Sequence, residues 1–568
     1  MSGDPPVEES FDLTRRAWLP VLRDDGSEDE LSLSEVFAQA DRVRRLVGDV
    51  PTQEFALLRL LLAVLHDAVE GPVDLDHWQQ LWDDGIPLEG PNGIDDYLQR
   101  HRERFDLLHP QTPFFQTAGL RTPKNENASL DRLVADVPNG SQFFTMRARG
   151  VERLSFAEAA RWVVHAHAFD TSGIKTGAVG DPRAKGGKVY PLGTGWAGNL
   201  GGVFVEGDNL RETLLLNLIA FDTDNLQIDA EADRPAWRRP PPGPAETDPL
   251  ELSRRPAGVR DLYTWQSRRI RLAFDDDGVH GVVLAYGDTL TARNQHRREP
   301  MTGWRRSSAQ EKKHNLPQVY LPREHDPGKS AWRGLGALVA GRAPGADQRR
   351  EAADIVRPRI LDWVARLTVE GGFPDDFLVR ARLIGARYGT QQSVIDEMVD
   401  DAVRMPVVLL HQRDTLLGQA AIDAVNDAEK AVSVLGDLAA DLARTVGADP
   451  EPARGNAMGR AYGMLDGPFR DWLADLDVDE APAPQRAAWQ DQARAIIAKL
   501  GDQEVADAGD GAWEGRVVQT GGGRDIWLTA PRADAIFRSR LRKALPGTDP
   551  RPDEPADQAT KEPLEAGT

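Results

Sequence analysis

A 568-residue chain with no cysteine has no disulfide and no thiolate metal site, and it fits a reducing compartment. A formal net charge of −21 excludes a uniformly basic nucleic-acid binder; the charge is uneven, however, with eight Lys/Arg against four Asp/Glu over residues 147–200 and seventeen against nine over 253–343. The acidic start MSGDPPVEESFDL is not a signal peptide and no apolar run reaches the ~18 residues of a membrane span, so a cytoplasmic protein of two or three domains, without a membrane partner, is expected.

In chain order, residues 11–20 (FDLTRRAWLP) predict a short strand stopped by proline, and Ser32 followed by Glu35 predicts a capped helix. The run from Pro51 is the clearest helix. Thr52 is its expected N-cap, and apolar residues almost all round predict that it is buried. Two more helices are expected over 76–85 and 94–105, an extended segment over 141–149, and a helix over 156–169. A helix over 210–219, capped by Asp208 or Asn209, precedes the proline-rich stretch 222–247, which reads as an exposed loop. Strands over 268–274 and 279–286 flank the turn Asp275-Asp276-Asp277-Gly278, and 293–313 reads as a basic loop around Trp304. The fold class is α+β. A large mixed α/β body spans 1–408, a C-terminal four-helix bundle spans 409–545, with helices over 412–446, 452–476, 485–500 and 533–545, and an acidic tail spans 546–568.

Residues 173–207 hold eleven glycines in thirty-five positions, with Lys175, Arg183, Lys185 and Lys188 among them. Glycine loses the most backbone entropy on folding, so such density suits close approach of main chain to a partner, with cations to attract phosphate. Within the stretch, residues 193–198 (GTGWAG) match a dinucleotide fingerprint, but glycines and the strand-like 203–205 follow where a helix N-terminus would have to be. His66-Asp67 lacks a second histidine donor, His165 and His167 point to different helix faces, and Asp275–Asp277 lacks the spaced donors of a calcium loop. No catalytic constellation emerges, and neither an enzyme nor a cofactor or metal is expected.

Residues 51–66 (PTQEFALLRLLLAVLH), the opening FDL…WLPV, FVEGDNLR at 204–211 and YGTQQ at 388–392 resemble the CasA family, the large subunit of the type I-E CRISPR surveillance complex, Cascade. The resemblance runs to about residue 411 and beyond that rests on helical-bundle character. It implies a subunit that inspects double-stranded target DNA for a short protospacer-adjacent motif, mostly from the minor groove. It also implies help in strand opening so that guide RNA can pair, contact with the other RNA-bearing subunits, and docking of a helicase-nuclease. By position, the family's glycine loop falls on Lys185, Gly186, Gly187 and Lys188. Its glutamine wedge falls on Gln392 with Gln391 beside it, its N-terminal contact loop on Phe144, Thr145, Met146 and Arg147, and its reading lysine nearest Arg293 or Asn294. The four-cysteine zinc site of some members cannot exist here. The rival readings are a nucleotide-dependent enzyme using GTGWAG and an acidic scaffold that never meets DNA.

Overall fold

The computed structural model describes residues 10–137, 150–339, 355–374, 376–411, 415–519 and 525–548. The chain divides into two compact units, Met1–Gln412 and Arg413–Thr568.

The first unit is built on the helix Pro51–Ala68, in which every residue from Thr52 onward is buried. Helix Phe156–Phe169, the short helix Val259–Tyr263 and the strand Leu378–Tyr388 pack against it. A helix this apolar cannot show water any face, so elements cover it all round. Proline, not threonine, starts it: Pro51 occupies the first turn, where its missing N–H costs nothing, and Val50 stands at the cap without a side-chain bond. Thr52 is inside, its hydroxyl 2.9 Å from the His165 ring.

Three three-stranded sheets surround this core. In the first, Leu19–Arg23 lies between Glu28–Leu31 and Val43–Leu46. Pro20 is therefore the second residue of a central strand rather than its end. Its carbonyl still accepts the Val47 N–H at 2.9 Å, and a proline near a strand's start forfeits little. In the second, Leu378–Tyr388 lies between Ile395–Pro406 and Gly202–Glu206. In the third, Trp304–Arg306 lies between Tyr320–Pro322 and Ile355–Val356. The hairpin Arg268–Asp275/Gly278–Tyr286 forms as the sequence predicts.

Several local expectations need correction. Helix Leu210–Leu216 stops short because the Asn217 amide turns to bond both the N–H and the C=O of Val205. Residues 222–247 are not simply exposed: Trp237 is buried, and the buried Asp233 carboxylate accepts the N–H groups of Arg260 and Asp261 at the start of helix Val259–Tyr263. Nor is 293–313 a loop throughout, since buried Trp304 anchors a strand and Ser307 caps the helix Ser308–His314.

The second unit is a four-helix bundle of Thr415–Val446, Pro450–Ala474, Pro482–Asp507 and Ala530–Ala544, the first packing on the other three. Ala457, Ala461, Leu465, Phe469 and Leu473 recur every fourth residue and are all buried. Phe469 meets the Trp489 ring edge-on at 5.0 Å, and the Trp489 indole donates to the Ala424 carbonyl at 3.2 Å. Arg486 grips both oxygens of buried Asp427 at 2.8 and 3.0 Å. A hairpin, Arg516–Gln519 with Asp525–Leu528, joins the bundle without advance sign in the sequence pattern. Of the expected tail, residues 549–568 lie outside the described residues.

Candidate nucleic-acid interface

The glycine stretch begins where helix Phe156–Phe169 ends, and its root is tied down by charge. Buried Asp170 binds the Lys175 ammonium at 2.7 Å and the Arg268 guanidinium. Arg268 also donates to the carbonyls of Asp170, Thr171 and Gly193. Burial alone would push the Asp170 carboxyl up, but Lys175 and Arg268 outweigh it and hold the group below the usual carboxylate range. Arg183 is likewise committed, to Asp181 and to the carbonyls of Tyr286 and Gly287. Two of the four cations that would draw in an anion therefore hold the loop in shape instead.

The other two are free. Strand Lys175–Thr176 pairs with Lys188–Val189, and Lys185 and Lys188 exchange backbone hydrogen bonds of 2.8 and 3.2 Å across Gly186-Gly187. Both central residues have positive φ, +57° and +72°, as a two-residue hairpin turn of this hand requires. A Cβ on either glycine would meet nothing within 4 Å, so it is the turn rather than packing that demands glycine. All four tip residues are exposed, and neither ammonium has a hydrogen-bond or ion-pair partner among the described residues. Tyr190, 68% exposed, stands two residues beyond. Sequence reading passed over it, although an aromatic beside a Gly/Lys turn is a recognisable stacking signal.

Gln391 and Gln392 sit at the tip of the hairpin Leu378–Tyr388/Ile395–Pro406, and both adopt left-handed backbone, at φ 57° and 55°. For glutamine that conformation costs roughly 1–2 kcal/mol per residue, and it persists because the surroundings fix it. The Gln392 N–H donates to the Gly389 carbonyl at 2.9 Å, and its own carbonyl accepts the Ser172 N–H at 2.7 Å. Its amide Nε2 lies 3.3 Å from Asn199 Oδ1, a weak tether, and Gln391 is exposed. Just below the tip the Tyr388 hydroxyl donates to the Phe169 carbonyl at 2.6 Å, and Gly198 leaves it room, since a Cβ there would strike that oxygen.

The structure thus seats the glutamine tip on Ser172, just before the glycine stretch, and on Asn199 within it. A cavity of about 570 Å³ opens beside the joint, with Gly173, Ile174 and Lys175 on one wall and Ser393, Val394 and Ile395 on another. Lys175, at the root of the glycine hairpin, and Ser393, next to the glutamine tip, line this one cavity, whereas the turn 185–188 is not among its lining residues.

The remaining candidates fare differently. Asn294 is committed to structure: its side chain bonds the Gln318 carbonyl and the Tyr320 N–H, at 3.2 and 2.7 Å. Arg293 beside it is half-buried, and its guanidinium has no hydrogen-bond partner among the described residues. Phe144, Thr145, Met146 and Arg147 lie outside the described residues. In residues 193–198 a single 3-10 turn, Trp196–Asn199, leads into the strand Gly202–Glu206, so no helix N-terminus faces a pyrophosphate. His66 bonds the Gly71 carbonyl, and Asp67 is enclosed by Tyr97, Arg238 and Arg260. His167 bonds the Phe115 carbonyl. Burial pushes His66 and His165 down to about 3 and His167 to about 4, as befits neutral core residues. Among the described residues no group of three or more His, Cys, Asp or Glu could hold a metal ion, and no helix is long and apolar enough to cross a membrane.

The family model for the CRISPR-associated protein Cse1 matches residues 12–500. A solved Cse1 from Thermobifida fusca is 65% identical over 94% of this chain and 98% of its own, with a TM-score of 0.88. The CRISPR-associated protein CasA/Cse1 of Thermus thermophilus is 30% identical over 339 residues, 58% of this chain, and the match spans 60% of that relative's length. A chain of a solved CRISPR RNA-guided surveillance complex shares the fold at 18% identity, over 94% of this chain and 99% of its own, with a TM-score of 0.67.

Proposed function

Because the chain belongs to the CRISPR-associated Cse1 family, we propose that it is the large, non-catalytic subunit of an RNA-guided surveillance complex, Cascade, reading a short motif in double-stranded DNA and starting strand separation. The observation that carries this reading is the joint between the two hairpins: half-buried Gln392 is bonded to Ser172 and Asn199 of the glycine segment, beside a cavity that the root of the glycine hairpin also lines, while Gln391 and the Lys-Gly-Gly-Lys turn are exposed. A relative of the same fold sits in a CRISPR RNA-guided surveillance complex, which supports RNA-bearing subunits as partners; target DNA and, at a later step, a helicase-nuclease complete the proposed set.

The minor groove is ~6 Å wide and presents a largely A·T-against-G·C pattern. A turn whose two central residues lack side chains can reach its floor with bare main chain while the flanking lysines meet phosphates on either side. Reading of this kind is tolerant, so several motifs are accepted and few are rejected absolutely. Unstacking one base step costs a few kcal/mol, which contacts in the opened state must offset. Gln392 can enter that gap without bringing charge, and guide pairing then supplies sequence specificity.

The test is duplex binding by the assembled complex, compared for motif-bearing and motif-free DNA. Gly187→Asp should weaken the motif-bearing duplex selectively, through bulk, repulsion and loss of the turn. Equal loss on both duplexes would reduce the loop to a plain electrostatic contact. Binding of labelled nucleotides by the isolated chain would instead revive the enzyme reading, and the absence of a salt-dependent DNA complex would favour the scaffold.

A further inference from the structure

We propose that a second cavity in the first unit, of about 410 Å³, binds a phosphate ester through the guanidinium groups of Arg305 and Arg323. Where that ester is part of a nucleic-acid backbone, the proposal rests on the reading above.

The strand register brings the two arginines together. Arg305 is the middle residue of strand Trp304–Arg306 and lies directly opposite Leu321, while the Arg323 N–H continues the ladder by bonding the Gly303 carbonyl at 2.8 Å. Residues 321 and 323 share a face, so Arg305 and Arg323 are diagonal neighbours on the same side of the sheet, with Cβ atoms about 7 Å apart. Both line the cavity, whose opposite wall is formed by Leu383 and Val399 of the glutamine hairpin. Gly334 lies beside the Arg323 guanidinium: a Cβ there would come within 4.0 Å of it.

Among the described residues neither guanidinium has a counter-charge in contact, although exposed Glu324 feels the charge of exposed Arg305 through space. Other arginines that line or cross this unit's core, Arg382 and Arg260 among them, are bound to carboxylates. Neither Arg305 nor Arg323 has a hydrogen-bond or ion-pair partner among the described residues. Half-buried Arg323 is depressed first by burial and then by Arg305, so the site holds two cations that an anion would relieve. The cavity's acids are placed elsewhere or weakened. Asp326 bonds the Gly328 N–H, Asp401 accepts the Ala331 N–H at 2.6 Å, and burial pushes Glu324 up. A phosphate oxygen pair between two planar guanidinium forks satisfies both charges at once, which a lone chloride does not. Residues of the third sheet and of the glutamine hairpin both line the site, which opens to solvent at exposed Arg305 and so is accessible to a phosphate.

The test uses the full chain with two probes: sodium phosphate, read as a thermal shift against sodium chloride at equal ionic strength, and a short DNA duplex, read by anisotropy across a salt series. Wild type should be stabilised by phosphate, and Arg305→Gln with Arg323→Gln should abolish the shift. In the same variant duplex binding should weaken about tenfold whatever the sequence, and the slope of log K against log salt should fall by about 1. Glu324→Gln should act in the opposite direction, tightening both ligands, which a folding defect does not do. Loss of the phosphate shift with unchanged duplex binding would assign the cavity to a free phosphate ester rather than to nucleic acid. A phosphate shift that survives in the double variant, with duplex binding unchanged, overturns the proposal. Lys185→Gln with Lys188→Gln separates the two sites: if that variant alone leaves duplex binding intact, motif reading fails while the cavity stands.

Discussion

The hairpin that carries the glutamines pairs eleven residues, with one irregularity next to its tip, and supplies two strands of a three-stranded sheet, whereas the hairpin that carries the glycine turn pairs two. The long hairpin is also pinned from below. Buried Arg382 forks onto Glu54 of the core helix and Asp400 of the partner strand, and reaches Glu206 on the neighbouring strand. The short one is held at its root by Asp170, Lys175 and Arg268, and its tip is tied back by the Gly177 N–H to the Gly187 carbonyl, with open space beyond both tip glycines. The contrast matches the two tasks. A side chain that separates base pairs must be backed by something stiff, while main chain that follows a groove gains from compliance.

Breaking the stiff element should have the largest effect. Arg382→Ala leaves Glu54, only 6% exposed, without its main cation, and removal of one partner from a buried ion pair costs about 3–5 kcal/mol. The first unfolding transition in denaturant should move by that amount. A shift no larger than that of a surface arginine variant such as Arg387→Ala would show that the lever is not built this way.

Acid should undermine the joint between the two hairpins. His165 lines the cavity beside it, bonded to Thr52, and burial pushes it down to about 3. A histidine depressed in the folded state stabilises the fold fully above its unfolded value near 6.5, and that contribution is lost as pH falls from there toward the folded value. For one such group the loss is on the order of 3 kcal/mol between pH 7 and pH 4. His165→Gln, which can keep the bond to Thr52, should flatten the pH dependence of the melting temperature; an unchanged profile would place the acid sensitivity elsewhere.

The compliant hairpin offers a smaller effect of distinct character. Gly186→Ala has open space for its methyl but must hold φ near +57°, at a cost of roughly 1–2 kcal/mol within the turn. Affinity for motif-bearing duplex should fall about tenfold, with the melting temperature little changed, because the added methyl meets no side chain and the turn is exposed. The smallest shift belongs to Gln392→Gly. Relief of its left-handed backbone should stabilise the chain by about 0.5–1 kcal/mol, read as a raised melting temperature, even as strand opening slows. A variant destabilised by this change would mean that the Asn199 tether outweighs the strain.

Sequence pattern made the regular parts legible and the committed charges illegible. The apolar periodicity of Pro51–Ala68 and Phe156–Phe169 marks both helices, and their burial follows from the same residues. The four bundle helices are placed by alternation of Ala and Leu with acids, although their ends move by several residues because caps and turns decide them. Lys175 and Arg183 look as available as Lys185 and Lys188, because nothing local announces that Arg268, ninety-eight residues from Asp170, completes a buried cluster. Asn294 reads as a polar candidate, yet two backbone bonds to a strand twenty-six residues away absorb it. Left-handed glutamines could not be foreseen at all, since the residue gives no hint of that backbone and contacts distant in sequence, with Ser172 and Asn199, help to hold Gln392 there. The joint between the two hairpins is a product of packing, and packing is what single-sequence pattern leaves out.

The wedge role of Gln392 is tested most directly at the first base pair beside the motif. With 2-aminopurine at that pair and duplex saturating the assembled complex, stopped-flow fluorescence reports opening separately from binding. Gln392→Ala should open the pair at least tenfold more slowly while duplex affinity changes less than twofold. Opening at the wild-type rate, with the complex equally saturated, would contradict the wedge and with it the joint role of the two hairpins.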